Sequence, residues 1–435
     1  MTSASRFPDW CSLTEPERLA ALAQRQERLD RLGRKLNAVE QIFPAGVSSR
    51  GPLSAMPFVA KDMIATGKIE PSWGCSEPQA AALPRASIID RLEEAGARLV
   101  ATAVMTELAY EPSGLVRRGA LNPWRFDAIP GGSSTGSAIL VASGCCFAAL
   151  GSDTGGSVRI PAHCCGVTGL KPSYGSLPLD GTMALAPSMD TLGIITRSAA
   201  DLMLIWPQVS GDTATAPAEH PSGTVLEDAL SACDPEIARI CRSAIDVMAE
   251  TGMTIGARPG FPEEADRHAL LVLQAEAARQ HSERIDDARI DATLRKRLRK
   301  GLAIPDEELG LALDARDRLR RHFASHFLGG ASVAFLPVMP IRTPGVEEVD
   351  PASRHFNPRA LYALSRFTRF INYLGLPALA VPAGFDRRGM PVGLQIVGRP
   401  GSERSLLEIG VRLQARTDWH GRVPTAIASE IAGER

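Results

Sequence analysis

Residues 129–172 read IPGGSSTGSAILVASGCCFAALGSDTGGSVRIPAHCCGVTGLKP. Two glycine-flanked hydroxyl clusters, Gly131-Gly132-Ser133-Ser134 and Asp153-Thr154-Gly155-Gly156-Ser157, bracket a segment of Ala, Ile, Leu, Val, Cys and Phe. A short Gly/Ser-rich run is ordinarily a turn or a linker, but the apolar residues between these clusters demand burial and exclude a flexible linker. The spacing predicts a buried small-residue helix that leads into a short strand, with a tight turn at each end. Glycine pairs adopt backbone conformations that other residues resist, and successive free N–H groups at such a turn form a concave site for a developing negative charge. That is oxyanion-hole chemistry.

Two nucleophiles are open at this point. Gly132-Ser133-Ser134-Thr135-Gly136 fits the nucleophile elbow of α/β-hydrolases, with Ser134 as nucleophile. That elbow follows a strand, and Arg125-Phe126-Asp127-Ala128-Ile129-Pro130 is a poor one, because its proline cannot donate to a sheet.

The whole run resembles the amidase signature family, whose pattern is a GGSS cluster, a hydrophobic helix and a D-x-G-G-S-x-R-x-P-A segment. The resemblance extends to residues 57–64 (PFVAKDMI), 121–130 (LNPWRFDAIP), 168–197 and 372–399. It implies a Ser-cisSer-Lys triad with Ser157 as nucleophile, Ser133 as the bridging serine on a cis Gly132-Ser133 peptide, and Lys61 as base. It also implies an oxyanion hole from the N–H groups of Thr154, Gly155, Gly156 and Ser157, and substrate-bordering positions at Met105, Gly131 and Gly132. Physics agrees with these roles: a serine is a weak nucleophile until an adjacent base takes its proton, and desolvation lowers a lysine's pKa far enough to serve. A lone lysine is usually solvated, but Lys61 stands between Pro57-Phe58-Val59-Ala60 and Asp62-Met63-Ile64, so burial is expected. Ser134, Asp153 and Arg159 are read as supports of the loop geometry.

The chain departs from the family in two places. The loop around Gly67, Pro71 and Gly74 departs from the family, whose members usually carry a Thr- and Ser-bearing segment there. The usual G-K-T-N-M becomes Ala101-Thr102-Ala103-Val104-Met105, which makes a substrate wall less polar or simply packs a core.

Composition excludes several classes. The 435 residues carry 48 basic and 49 acidic side chains, a net charge of −1, so neither nucleic acid nor an anionic membrane is implied as partner. The eight cysteines include Cys145-Cys146 and Cys164-Cys165, which lack zinc or disulfide-framework spacing and suit a reducing compartment. The amino terminus lacks a basic start and an apolar core, and no stretch reaches a membrane span; a cytoplasmic protein is expected. Of the histidines only His322 and His326 have ligand-like spacing, and Phe323 stands where a metalloprotease carries glutamate. His163 reads as packed. No metal and no cofactor are implied.

Along the chain, residues 14–41 read as one or two helices, opened by a capping box at Thr14 and Glu17. The apolar strand at 56–60 delivers Lys61, a helix and a strand follow over 86–105, and the signature core runs to residue 200. A loop begins at 209. Residues 226–327 read as a variable helical section whose charged stretch 287–300 is a solvated face. Strands return at 334–344, 379–382 and 392–397, with a turn at 384–389 and a helix at 406–414. Because motif-bearing strands come from both ends, they must meet in one sheet. The expected fold is a single α/β domain over residues 1–435, a mixed β-sheet core covered by α-helices on both sides.

Three function classes remain: an amidohydrolase working through an acyl-enzyme on Ser157, the catalytic A-type subunit of a tRNA-dependent amidotransferase with partner proteins, and a non-catalytic scaffold. Retention of Lys61, Ser133 and Ser157 together argues against the scaffold. The divergent helical section and the lost G-K-T-N run favour the free hydrolase, acting on a small-molecule amide to give carboxylate and ammonia or amine. Residues 356–373 concentrate aromatics (Phe356, Tyr362, Phe367, Phe370 and Tyr373) in a chain with only 5%, which suggests aryl or arylalkyl carboxamides. A helix there lines an acyl pocket or packs the core, and Arg366 and Arg369 face solvent or a substrate carboxylate. The oligomeric state is left open, a homodimer included.

Overall fold

The computed structural model describes residues 7–44, 50–79, 83–211 and 221–432. Its described strands form one sheet of 11. In chain order they are β1 (Val39–Ile42), β2 (Pro57–Lys61), β3 (Arg98–Ala103), β4 (Ala148–Ser152), β5 (Thr168–Lys171), β6 (Leu192–Thr196), β7 (Ser222–Leu226), β8 (Thr254–Arg258), β9 (Val333–Pro337), β10 (Ala378–Phe385) and β11 (Pro391–Gly398). The order across the sheet is β1-β3-β2-β4-β6-β5-β10-β11-β9-β7-β8.

Every residue of β2 is buried, and β2 runs parallel to both β3 and β4. A near-continuous apolar run is what a parallel strand covered on both faces requires. The two ends of the chain join where β5 meets β10, with Ala378 opposite Lys171 and Leu379 opposite Leu170. This is the junction that the motif strands demanded.

Helices cover both faces. A Cβ at Gly169 would meet Ala162 of helix Arg159–Cys165, whereas a Cβ at Gly410, in helix Glu403–Ala415, would meet Leu379. Side chains of β5 alternate between faces, and Leu379 lies beside Leu170 rather than Gly169, so the two helices sit on opposite sides. Helix Thr135–Ala142 is buried along its whole length, as its small residues predicted. At Gly136 a Cβ would fall 2.2 Å from the Ala38 carbonyl oxygen, so only glycine lets this helix approach β1 and β3 so closely.

Four expectations are corrected. Helix Glu15–Arg28 is capped as expected, Glu17 accepting from the Thr14 N–H at 2.8 Å, but 39–41 belong to a strand. Asn37 turns into the left-handed region at φ 50, and Val39 then pairs with Ala103 of β3. The variable section contains an unforeseen strand, β8, whose exposed edge position leaves no apolar pattern to read. The aromatic stretch is broken into two short helices, Pro358–Ala363 and Arg369–Tyr373. Among the described residues no helix is long and apolar enough to cross a membrane. Of the loop expected over 209–223, 209–210 belong instead to helix Ala199–Ser210 and 222–223 to β7, and 212–220 lie outside the described residues.

Candidate active site

Lys61 closes β2 and is fully buried. Its Nζ stands 2.6 Å from Ser133 Oγ and 2.8 Å from Ser152 Oγ. Burial lowers the ammonium from its ordinary 10.5 to about 7, against the opposing pull of the Asp153 and Asp190 carboxylates. A lysine held so is neutral in a large fraction of molecules near neutral pH and can take a proton from the hydroxyl it touches. The Gly132–Ser133 peptide is cis, as the resemblance implied.

Ser157 lies in the turn between β4 and helix Arg159–Cys165, and the backbone ties it to the other cluster, the Ser134 N–H donating to the Ser157 carbonyl at 3.1 Å. Lys61 and Ser133 are sealed off, whereas Ser157 is 9% exposed and lines a cavity of about 300 Å³. Among the described residues its hydroxyl makes no hydrogen bond, so it is the one free to meet a ligand.

The 153–159 turn is held by a buried polar network. Asp153 accepts from the Gly156 N–H at 2.8 Å and the Val158 N–H at 3.1 Å. Arg159 donates to Asp153 through Nε at 3.0 Å and Nη2 at 2.9 Å, and reaches Asn372 Oδ1 at 2.6 Å and Gln395 Oε1 at 3.1 Å. Burial pushes the Asp153 carboxyl up, but Arg159 and its other partners more than reverse this and hold it at about 2. Thr154 Oγ1 donates to Asp190 at 2.7 Å, and Thr368 Oγ1 donates to the Gly155 carbonyl at 2.6 Å. Ser134 Oγ, also sealed, donates to the Ser152 carbonyl at 3.2 Å and accepts from the Ser152 N–H at 3.3 Å. It latches the end of β4 and does not line the cavity that Ser157 enters.

With this arrangement in place, similarity to known proteins becomes informative. The Amidase family model matches residues 35–407. The chain belongs to the amidase family. It is 30% identical over 430 residues to the A-type subunit of the glutamyl-tRNA(Gln) amidotransferase of Heliobacterium modesticaldum, covering 86% of this chain and 85% of that protein. The protein of the same name from Alkalilimnicola ehrlichii is 32% identical over 444 residues, covering 89% and 88%. A solved crystal structure of an amidase superposes with a TM-score of 0.83 at 30% identity, covering 92% of this chain and 96% of that one.

The cavity of this amidase-family chain corrects several site expectations. Thr154, Gly155 and Ser157 line it, but Gly156 does not, and its N–H is committed to Asp153, so it is removed from the oxyanion set. Met105 lies in a separate crevice with Cys75 and Arg117. The N–H groups of Gly131 and Gly132 are taken by the Ser113 and Pro112 carbonyls at 3.0 and 2.8 Å, and neither glycine lines the cavity. Thr102 and Val104 are buried away from it, so the changed G-K-T-N run packs the core. Of the aromatics, Phe356 and Tyr362 line the cavity, whereas Phe367, Phe370 and Tyr373 are core residues. Arg366 is paired with Glu263 and Asp266, and Arg369, which does line the cavity, is paired with Asp266 at 2.7 Å.

The sequence reading also missed residues. Asn372 and Asp190 sit in stretches that resembled the family, and only their partners show what they do. Tyr110, Leu270 and Leu273 were unmarked, and Lys296, Arg297 and Lys300, assigned to a solvated face, line the cavity. His163 is packed as expected, its Nδ1 accepting from the Gly393 N–H at 2.9 Å, and burial lowers it to about 4. All eight cysteines are free thiols. His322 and His326 stack on one another, and no group of three or more metal-binding side chains is assembled among the described residues.

Proposed function

We propose that this chain hydrolyses a carbon–nitrogen amide bond through an acyl-enzyme on Ser157. The observation that carries the reading is the buried Lys61–Ser133 contact beside a cavity-facing Ser157. Neutral Lys61 takes the Ser133 proton while Ser133 takes that of Ser157, whose Oγ attacks the carbonyl carbon. The oxyanion is met by N–H groups of the 154–157 turn, those of Thr154, Gly155 and Ser157. The proton returns through Ser133 to the departing nitrogen, which leaves as ammonia or amine. Water then attacks the ester by the same route and releases the carboxylate. Catalytic hydrogen bonds often close only in the substrate complex, and the Ser133-to-Ser157 step is of that kind.

Acyl groups of modest size suit the cavity. Its apolar walls include Ile160, Leu185, Leu270 and Leu273, with Tyr110, Phe356 and Tyr362, which supports small aryl or arylalkyl carboxamides.

The curated relatives favour a second reading, the A-type subunit of a glutamyl-tRNA(Gln) amidotransferase. A glutamine donor brings an α-ammonium group, and among the described residues no aspartate or glutamate lines this cavity, so that group would be desolvated without an anionic partner. This supports the free hydrolase. The discriminating experiment measures ammonia or amine release by the purified chain alone from primary amides, anilides and glutamine, with intact-mass detection of the acylated serine. Turnover of glutamine alone, and only with added partner subunits, would establish the second reading.

A further inference from the structure

Helix Ala292–Leu302 presents two faces. Leu294, Leu298 and Gly301 are buried, and at Gly301 a Cβ would collide with the Gln274 carbonyl of helix Glu263–Gln280 at 2.2 Å, so this face is pressed onto its neighbour. Thr293, Lys296, Arg297 and Lys300 follow at i, i+3, i+4 and i+7, which places them on one stripe. All four line the cavity that Ser157 enters. The other cations of the helix point elsewhere: Arg299 pairs with Asp286 at 2.8 Å, and Arg295 donates to the Ile290 carbonyl at 3.1 Å.

Lysine and arginine at a protein surface ordinarily find carboxylates or bulk water. Here Lys296 and Lys300 are exposed and Arg297 is half-buried, and among the described residues none of the three has a carboxylate within ion-pair distance. Arg369 is the remaining cation of the cavity and is neutralised by Asp266. Carboxylates do border an adjoining crevice that shares Arg297, and one of them, Glu111, acts on Arg297 electrostatically; each also has a partner of its own. Glu107 pairs with Arg117 at 2.8 Å, Asp291 caps the helix through the Leu294 N–H at 2.9 Å, Asp350 accepts from the Ala352 N–H at 2.9 Å, and Glu111 accepts from the Ser113 N–H at 3.0 Å. The catalytic cavity is therefore apolar along its walls and cationic along one helix, with no anion of its own. Lys296 and Lys300 do not border that crevice.

We infer that the substrate is an amide bearing a carboxylate remote from the scissile bond, held by Lys296, Lys300 and Arg297 while its apolar middle crosses the cavity. The inference rests on the hydrolase reading above. The carboxylate belongs either to the acyl part, as in the monoamide of a dicarboxylic acid, or to the departing amine, as in an N-acyl ω-amino acid. Fixed cations at the cavity also concentrate anions near it, an effect that salt weakens.

The test compares kcat/KM for adipamate, its methyl ester and hexanamide, and on the amine side 6-benzamidohexanoate against N-hexylbenzamide. The carboxylate member of the favoured set should lead its neutral counterparts by about tenfold, the scale of a few partly exposed charge contacts, and added salt should erase the lead. In Lys296→Gln/Lys300→Gln the lead should collapse, in Lys296→Arg/Lys300→Arg it should persist, and Arg299→Gln should not alter it. A lead absent from both sets, or one that survives the Gln pair, overturns the inference while leaving the hydrolase intact. A chain that turns over none of these amides overturns the hydrolase reading instead. Calorimetric binding of adipamate against its methyl ester to Ser157→Ala then still decides the charge preference, tighter binding of the ester or equal binding counting against it.

Discussion

Asp153 and Arg159 form an ion pair with no solvent exposure on either side chain, at 2.9 Å. The pair fixes the turn that carries Ser157, because the same carboxylate receives the Gly156 and Val158 N–H groups. Removing one partner of a buried pair strands a charge in low dielectric and costs about 3–5 kcal/mol. Arg159→Met should therefore lower the urea midpoint markedly and disorder the turn. The pH dependence has a definite sign. In the native chain Asp153 sits at about 2 against an ordinary 3.8, so its stabilisation is present above 3.8 and is lost as pH falls through 3.8 toward 2. In Arg159→Met the unpaired carboxylate is raised instead, and acidification toward pH 5 should narrow the gap to the native chain. An unchanged midpoint would mean that the pair contributes nothing net.

On the proposed mechanism Lys61 is the base, and it then sets the pH–rate profile. With its amine lowered to about 7 by burial, the neutral base fraction grows as pH rises through that value, so kcat/KM should climb with unit slope below about pH 7 and flatten above it. Stability follows the same direction: the unfolded lysine keeps its proton up to 10.5 while the folded one has lost it above about 7, so the chain gains stability with rising pH between those values. Lys61→Met should abolish the titration along with most of the rate. A profile that declines steadily from pH 7 to 9 in the native chain would rule out lysine as base.

Ser157 and Ser134 separate the two nucleophile readings. Ser157→Ala should cost at least about 10³-fold in kcat with an unchanged urea midpoint, since its hydroxyl has no partner among the described residues. Ser134→Ala removes the latch on Ser152 and leaves the Ser152 N–H unsatisfied, a loss of about 1–3 kcal/mol in stability, with a smaller rate loss. Equal or reversed rate effects would restore the elbow at Ser134.

Much of this arrangement was legible in the sequence because it is written in local chemistry. The Gly-Ser clusters, the small-residue helix 135–142 and the apolar PFVAK strand each state their environment within a few residues, and the strands near both ends had to share a sheet. Residues whose role is set by distant partners were not legible. The Gly156 N–H reads as an oxyanion donor until Asp153 is seen to accept it. Asn372 gains meaning only beside Arg159, 213 positions away. Charge misled for a related reason: Lys296, Arg297 and Lys300 lie in a stretch that resembles any solvated helix, and only the fold brings it over the cavity. β8 was missed because an exposed edge strand need not alternate.

The aromatic stretch gives the last prediction, since its rings divide between cavity and core. Phe370 is fully buried and packs against Phe261 and Phe323, with ring centroids 5.4 and 6.0 Å apart. Phe370→Ala should cost about 3–5 kcal/mol of stability through lost burial and a residual cavity, while kcat/KM per folded molecule changes little. Phe356 instead lines the cavity and is only partly buried, so Phe356→Ala should cost little stability. Its effect should fall on substrates with a ring. Losing one aromatic contact of about 0.5–1.5 kcal/mol together with its share of buried area should reduce kcat/KM for phenylacetamide by roughly tenfold, and hardly at all for acetamide, whose methyl group does not reach across a cavity of about 300 Å³. The decisive quantity is the ratio of the two substrates in each variant. A ratio that falls in Phe370→Ala and stays fixed in Phe356→Ala would invert the assignment of core and cavity, and an equal loss for both substrates in Phe356→Ala would remove this ring from substrate selection.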